Sequence, residues 1–309
     1  MKRTIPKKAA MIALAAVLMS CGVVSTVRAA EEAGAVKEMT FILRDRAPDG
    51  IAKQRAEAWE PKQTAIIVCD MWAVHGCPHA TERIEELAVV MNKTIEDARK
   101  KGILIVFAPS HSDMDELYKD LPARQKTAEY RKGFGNARHW DFWEHGDGGE
   151  REHSGLANPS EQGVRFPVRG GENNCEESRG RTANFKQTEL LTITDDDVLT
   201  DDFEEIKAYF KVTGIKNVIL MGVHTEMCVV GRPFGCRAMV KLGYNTVLCR
   251  DMTDSAYNCA SRMENAPDHY LGLELIIEYI ERYICPTITS VDITGGKEFR
   301  FKEDRYRPN

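Results

Sequence analysis

Continuous apolar runs alternate with helix-spaced apolar positions along most of the chain. Four apolar runs have the length of buried strands, at residues 64–69, 103–107, 217–222 and 245–249. Such runs are typical of parallel strands covered on both faces. Four amphipathic segments predict helices, at residues 82–101, 201–213, 226–242 and 268–283. The alternation predicts an α/β fold: a doubly wound, mainly parallel sheet with helices on both faces, in three layers.

The alternation of apolar runs and amphipathic segments covers only part of the chain, and its limits give the predicted domain boundaries. Residues 62–285 form the predicted α/β domain, interrupted at 110–181 by an irregular insertion rich in Gly, His, Asp, Arg and Trp. A long stretch without periodicity inside a compact domain is usually functional. Residues 30–61 are predicted as an N-terminal extension with a short strand at 39–43. Residues 286–309 are predicted as a C-terminal extension, a strand or hairpin that turns at Gly295-Gly296.

The first 29 residues have the pattern of a signal peptide. Lys2, Arg3, Lys7 and Lys8 precede an apolar run at 9–19, and Val27-Arg28-Ala29 offers a small-x-small cleavage site. We therefore expect export to the periplasm or medium, with lipoprotein processing at Cys21 as the alternative. No later run is apolar for long enough to span a membrane.

Composition narrows the class of function. The 309 residues are 43% hydrophobic and 29% charged, which is ordinary for a globular protein, and a net charge of −5 lacks the basic excess of a nucleic-acid binder. The nine cysteines form no CxxC pair. Most lie in or beside apolar runs, where cysteine acts as a small hydrophobe. A bridge between Cys77 and Cys175 is conceivable.

Three places qualify as a functional site because ligands bind at the carboxyl ends of parallel strands. Asp70 follows the first core strand, Ser110 and His111 follow the second, and the segment 222–228 follows the third. Cys228 falls in the first turn of a predicted helix, where the dipole and backbone N–H groups stabilise a thiolate. Position alone also fits a buried helix cysteine.

The residues around Cys228 resemble a known family. Gly222-Val-His-Thr-Glu-Met-Cys228-Val229, followed by Gly243-Tyr244 and Arg250-Asp251, is similar to the signature of the isochorismatase-like hydrolases. The run from Ile66 to Met71 resembles that family's first strand, which ends in an Asp. The resemblance covers residues 62–284, and the run 221–254 is similar to an exported subgroup of the family.

The resemblance implies a Cys–Asp–Lys triad. Cys228 would be the nucleophile and Asp70 the base, and Lys186 is the best match for the lysine, with Arg181 as the alternative. It also implies a cis peptide at Val223–His224, with the backbone N–H groups of His224 and Cys228 forming an oxyanion hole. A thiolate nucleophile splits amide cleavage into two easier steps.

Other polar residues are assigned to the pocket or left open. Trp72, His75 and His111 are expected to line a substrate pocket. Arg232 lies one helical turn after Cys228, so both face the same way, and it either clamps a substrate carboxylate or pairs with an acid at the surface. No cofactor is expected, although some relatives bind zinc through an Asp and two His, and His75, His111 and His139 supply such donors. The acidic residues 195–197 and 201–202 are interpreted as a solvated face with a helix N-cap rather than a calcium site.

The predicted function is hydrolysis of a small-molecule amide or ureide C–N bond through Cys228. The alternative is a degenerate enzyme that binds a small molecule on the same fold without turnover. Hydrolysis of a vinyl ether needs no cysteine here, and a redox function lacks a neighbouring resolving thiol other than Cys236. The expected partners are a small-molecule substrate and further copies of the chain, with neither nucleic acid nor a membrane span.

Overall fold

The computed structural model describes residues 37–47, 49–109, 114–131, 175, 181–258 and 268–306, and the fold discussed below begins at Glu38. The predicted signal peptide, Cys21, His111, His139 and most of the predicted insertion lie outside the described residues.

The described part of the chain forms an eight-stranded sheet in the order β2-β1-β10-β9-β8-β3-β5-β7. From β10 to β7 all neighbours are parallel, whereas β1 runs antiparallel to β10 and to β2. A second sheet pairs β4 with β6. The strands are β1 (Met39–Arg46), β2 (Ala52–Trp59), β3 (Thr64–Cys69), β4 (Trp72–Val74), β5 (Leu104–Ala108), β6 (Asn184–Gln187), β7 (Val198–Leu199), β8 (Asn217–Val223), β9 (Asn245–Asp254) and β10 (Thr287–Ile288).

Helices connect the parallel strands. They are α1 (Pro78–Lys101), α2 (Met114–Tyr118), α3 (Pro122–Gln125), α4 (Phe203–Thr213), α5 (Cys236–Lys241), α6 (His269–Tyr283) and α7 (Val291–Thr294), with 3₁₀ turns at Pro61–Gln63 and Ala128–Tyr130. Local sequence explains the main boundaries. Asp202 and Asp268 cap α4 and α6 by accepting from backbone N–H groups of the first turn. Gly102 ends α1 in the left-handed conformation that glycine favours.

The core lies on both faces of the sheet, as the apolar runs predict. In β3, Ile66 and Val68 face a cluster that includes α1, whereas Ile67 and Cys69 face a cluster that includes α4 and α6. Because side chains alternate across a strand, a run buried along its whole length requires cover on both sides. The predicted doubly wound α/β class is confirmed by this arrangement.

The structure differs from the sequence prediction at both ends of the predicted domain. Residues 30–61, predicted as an extension, contribute β1 and the unpredicted β2 to the main sheet, so the sheet does not begin at residue 62. In the extension predicted at 286–309, β10 confirms the strand alternative, and the hairpin alternative is wrong because Gly295 caps α7 instead of forming a hairpin turn.

A second correction concerns the helix predicted at 226–242. A π-helical turn at Thr225–Val229 is followed by a break before α5 begins at Cys236. Pro233 lies in the break, where it lacks the N–H that a continuing helix would need.

Within the described ranges, no helix is both long and apolar enough to cross a membrane.

Candidate active site at the carboxyl edge of the parallel strands

Asp70 lies at the end of β3, where the chain turns away from the sheet. It is fully buried, and its φ of 48° is in the left-handed region that residues other than glycine rarely adopt. Its N–H donates to the Ala108 carbonyl at 3.0 Å, which holds the turn against the end of β5. Strained backbone of this kind clusters at functional sites.

The Asp70 side chain is paired with Arg232. Arg232 Nη2 donates to Asp70 Oδ2 at 3.1 Å, and the arginine is only 2% exposed. Asp70 Oδ1 has no oxygen or nitrogen donor among the described residues, and the Cys69 thiol is the other group hydrogen-bonded to this carboxylate. The acid that pairs with Arg232 therefore lies inside the site, whereas the sequence prediction places it at the surface.

Arg232 reaches Asp70 because of the chain path after the π-helical turn. Its N–H donates to the Cys228 carbonyl at 3.0 Å, which places the two residues one turn apart, as predicted. Asp70 and Cys228 raise the pKa of the buried guanidinium against the opposing effect of burial. The arginine therefore keeps its charge beside the thiol and the carboxylate.

Cys228 lies in the π-helical turn and is 7% exposed. π-Helical turns are rare and often occur at functional sites. The Cys69 thiol lies nearby on the same core face, but burial raises its pKa well above the ordinary value, with Asp70 and Cys228 adding to the effect. Cys69 is therefore a poor nucleophile.

His224 begins the π-helical turn and pairs with His75. The Val223–His224 peptide is cis, as the resemblance implies. Nε2 of His224 lies 3.2 Å from Nε2 of His75, and both rings are buried. Because the Cys77 N–H donates to His75 Nδ1, the proton of neutral His75 is on Nε2 and is donated to His224. Trp72 stacks on His75 and donates from its indole to the Pro109 carbonyl, so the predicted pocket residues Trp72 and His75 lie together.

Asp201 is a site residue that the sequence analysis missed. It lies two residues after β7, and the sequence prediction assigns it to a solvated acidic face. Burial raises its pKa to about 7, opposed by the positive charges of Arg232 and Arg124, with Asp70 also acting on it. The strand-end rule could have found it, but the two-residue strand before it is too short to recognise. The N-cap prediction is confirmed at Asp202.

Lys186 is not brought to Asp70. It lies in β6 with an exposed side chain, and the cation on Asp70 is Arg232. Arg181, the alternative, is also exposed. His111 is outside the described residues. Cys77 and Cys175 pack in one small buried cluster with Ala80, but no disulfide joins them in the structure.

No group of three or more His, Cys, Asp or Glu side chains within the described ranges is arranged to hold a metal ion. His75 and His224 offer two facing nitrogens, yet ligation through His75 Nε2 would require a proton on Nδ1, where the ring accepts from Cys77.

A second cluster of buried polar side chains lies at the end of β9, next to the strand end that carries His224. Asp254, at the end of β9, accepts from Arg83 Nε at 2.9 Å and lies 2.8 Å from His269 Nε2. Burial opposes ionisation of Asp254, but the charges of Arg83 and His269 prevail and hold its pKa well below its usual range. The register pairs Val223 with Asp254, so this cluster fixes the strand end that carries His224.

The fold and this site define a doubly wound α/β protein in which a cysteine, a carboxylate and a guanidinium are buried together at the carboxyl edge of the strands. No family model and no curated protein matches the chain. Solved structures do match it at low identity. A cysteine hydrolase from Pseudomonas syringae pv. phaseolicola matches at 12% identity and a TM-score of 0.42, over 77% of this chain and 93% of that one.

Two further solved structures are similar to the same extent. An isochorismatase family protein from Burkholderia thailandensis matches at 11% identity and a TM-score of 0.42, over 76% of this chain and 95% of its own. An isochorismatase-like hydrolase from Alkaliphilus metalliredigens matches at 16% identity and a TM-score of 0.39, over 74% and 95%. At these values the function must be argued from the chain's own residues.

Proposed function

We propose that the chain is a cysteine hydrolase of the isochorismatase-like type that cleaves an amide or ureide C–N bond in a small molecule. Cys228 is the nucleophile, Asp70 is the base, and Arg232 takes the place of the lysine that the motif resemblance implies. The observation that carries the proposal is the Asp70–Arg232 ion pair, buried at a strained strand end beside Cys228.

A structural ion pair alone is a weaker explanation of this arrangement. Burial of two charges costs several kcal/mol each before their attraction repays it, so a buried pair is not favoured for stability. Here the backbone of Asp70 is also strained, and the pair lies beside the Cys228 thiol. Both are at the edge of the sheet where parallel sheets bind ligands.

The proposed chemistry follows from the residue types. The Cys228 thiol gives its proton to Asp70 Oδ1, and the sulfur attacks the substrate carbon. Backbone N–H groups of His224 and Cys228 stabilise the oxyanion. Release of the nitrogen leaves a thioester, which water hydrolyses. Arg232 orients Asp70 and stabilises negative charge, but it does not exchange protons at neutral pH.

The first test measures thiol reactivity without a known substrate. The rate of iodoacetamide alkylation of each cysteine is followed by mass spectrometry as a function of pH in wild type, Arg232→Met and Lys186→Ala. We expect Cys228 to react fastest at pH 7, since a cation beside a thiol favours the thiolate. Arg232→Met should slow it by about tenfold or more, and Lys186→Ala should leave it unchanged.

The same data contain their own controls. Cys69 and Cys249 are buried thiols whose pKa burial raises, so they should stay unmodified at neutral pH. An inert Cys228 would reject the nucleophile assignment. Slower alkylation in Lys186→Ala, with no change in Arg232→Met, would return the role of the cation to Lys186. A reactive Cys228 justifies screening small amides and ureides with Cys228→Ala as the blank.

A binding protein without turnover is the second candidate. It is favoured by one observation, that the cation at Asp70 is an arginine where the resemblance implies a lysine. It predicts ligands that bind wild type and Cys228→Ala equally well and are released unchanged. Formation of a covalent adduct on Cys228 during incubation with such a ligand would exclude it.

Export and self-association remain proposals drawn from the sequence. The signal-like segment motivates the first and the resemblance motivates the second.

A further inference from the structure

The parallel pairing of β3, β5 and β7 brings two carboxylates to the same carboxyl edge of the sheet. Cys69 pairs with Ala108 across β3 and β5, and Phe107 pairs with Leu199 across β5 and β7. Asp70 follows Cys69 by one residue and Asp201 follows Leu199 by two, so both lie just beyond the carboxyl ends of their strands, on either side of β5. Two strand spacings correspond to about 10 Å between their Cα atoms. Side chains from both positions can therefore reach one substrate.

The two carboxylates have different surroundings. Asp70 is in direct contact with Arg232 through Oδ2. Asp201 lies within the electrostatic reach of Arg232, Arg124 and Asp70, and Arg124 is itself engaged by Glu205 at 2.6 Å and by Asp115 at 2.8 Å. The positive charge available to Asp201 is thus shared with other acids. Burial prevails and raises the pKa of Asp201 to about 7, so a large share of Asp201 is protonated at neutral pH.

We propose that Asp201 is the catalytic acid of the site, which gives a proton to the departing nitrogen and then accepts one from the attacking water. The proposal rests on the proposed function, because it assigns the second proton transfer of that same reaction. Pairs of acids whose environments separate their ionisation often divide the acid and base roles in this way.

The acylation half-reaction balances with two carboxyl groups. The thiol proton of Cys228 moves to ionised Asp70 as sulfur bonds to the carbonyl carbon, and the C=O π pair moves to oxygen. When the carbonyl re-forms, the C–N bond breaks, and the nitrogen takes the proton of Asp201. The products are an amine, a thioester, neutral Asp70 and ionised Asp201.

Deacylation restores the starting state. Water attacks the thioester carbon and gives a proton to ionised Asp201. Collapse of the tetrahedral intermediate breaks the C–S bond, and the sulfur takes the proton from Asp70. The net reaction is amide plus water to acid plus amine, and neither an oxidant nor a metal is consumed.

A pH dependence follows with a defined sign. Asp201 must carry its proton when the nitrogen leaves, so C–N cleavage should fall as pH rises through about 7. An ester whose leaving group departs as a stable anion needs no such proton. Its acylation of Cys228 should not show this decline.

The experiment compares two probes with one acyl group in the full chain. The probe p-nitrophenyl acetate releases a stable phenolate, whereas p-nitroacetanilide can release its nitrogen only as neutral p-nitroaniline, which requires a proton to be given to that nitrogen. Acylation of Cys228 and product release are measured in wild type, Asp201→Asn, Asp201→Glu and the control Asp196→Asn, an exposed acid of the same stretch. We expect Asp201→Asn to lower anilide cleavage on the order of a hundredfold while ester acylation changes by about twofold or less.

The two probes and the variants distinguish the acid role of Asp201 from the nucleophile role of Cys228. Partial recovery in Asp201→Glu, loss of the decline above pH 7 in Asp201→Asn and no change in Asp196→Asn complete the expected result. Equal loss or no loss on both probes overturns the acid role while ester acylation of Cys228 keeps the proposed function. Ester acylation without anilide cleavage in wild type also overturns the acid role. A Cys228 that neither probe acylates rejects the proposed function and this inference together.

Discussion

Glu226, two residues before Cys228, is a buried acid that the proposed chemistry does not use. It is 2% exposed, and its Oε1 accepts from the Ala256 N–H at 2.9 Å. Burial is the main cause that raises its pKa to about 8, and the charge of Asp254 adds to it. Its role is to hold the segment after β9 against the π-helical turn.

This shift predicts how stability depends on pH. An acid whose pKa rises on folding binds more protons in the folded state, so its contribution is fully present below about pH 4.5 and is lost as pH rises through about 8. Glu226→Gln keeps the acceptor without the charge. We expect the variant to match wild type near pH 4.5 and to exceed it by about 2 kcal/mol or more at pH 8, measured by urea unfolding. If the variant and wild type differ in unfolding free energy by the same amount at pH 4.5 and pH 8, the pKa of Glu226 does not change on folding.

The residues of the site differ in how well their positions follow from the sequence. Asp70 and Cys228 were placed at the strand edge because apolar runs locate strand ends. The pairing of Arg232 does not follow from the sequence, since the chain path between the π-helical turn and Pro233 decides it. Asp201 was misread because an acidic run resembles a solvated face, and only the neighbouring strands show that one of its members turns inward.

At the level of elements, the close contact of β8 with β3 sets the geometry of the site. Gly222 has a φ of +112°, and a Cβ there would lie 2.0 Å from the Cys69 carbonyl oxygen. The Gly222 carbonyl in turn accepts from Thr253 on β9 at 2.8 Å. Only glycine allows the three strands to meet at this point.

Gly222→Ala should therefore be much more damaging than an alanine at another left-handed glycine. Gly243 is the matched control, because its φ is +84° and nothing lies within 4 Å of a Cβ there. We expect Gly243→Ala to cost about 1–2 kcal/mol of unfolding free energy, the backbone cost alone. Gly222→Ala should cost several kcal/mol more or prevent folding, as judged by urea unfolding and soluble yield. Equal costs would mean that β8 can move away from β3.

Elements with a strong period were predictable and the others were not. The buried strands β3, β5, β8 and β9 and the helices α1, α4 and α6 follow from apolar spacing. The predicted helix at 226–242 kept its apolar spacing while Pro233 interrupted it, so periodicity alone overstated its length. β7 has two residues, too few to show any period.

At the scale of the whole molecule, the two ends of the chain complete one sheet. β1 lies between β2 and β10, and Phe41 and Leu43 of β1 belong to the main core. β2 escaped prediction because nearly all its side chains are exposed, which removes the alternation that identifies a strand. The predicted boundary at residue 62 therefore marks a change in sequence pattern and does not mark the edge of the sheet.

One buried acid, Glu281, connects β1 and β10, the strands that the two ends of the chain contribute. Glu281 of α6 accepts from Arg44 at 2.6 Å and Arg46 at 2.8 Å of β1, and from Thr287 of β10 at 2.6 Å. Its side chain is fully buried, whereas Glu278, which pairs with Arg46 at 3.2 Å, is 44% exposed. The two glutamates are one helical turn apart and share a partner, so they form a matched pair.

Glu281→Gln should lower the free energy of unfolding by about 2 kcal/mol, because it leaves two partly buried arginines without their counter-charge. Glu278→Gln should cost about 0.5 kcal/mol or less, as exposed ion pairs do. Urea unfolding followed by both tryptophan fluorescence and circular dichroism would measure the two costs. If β1, β10 and α6 belong to one cooperative unit, the two signals change together in both variants. Equal small costs, or a fluorescence transition that precedes the circular dichroism transition, would show that the chain ends are attached to the sheet without stabilising it.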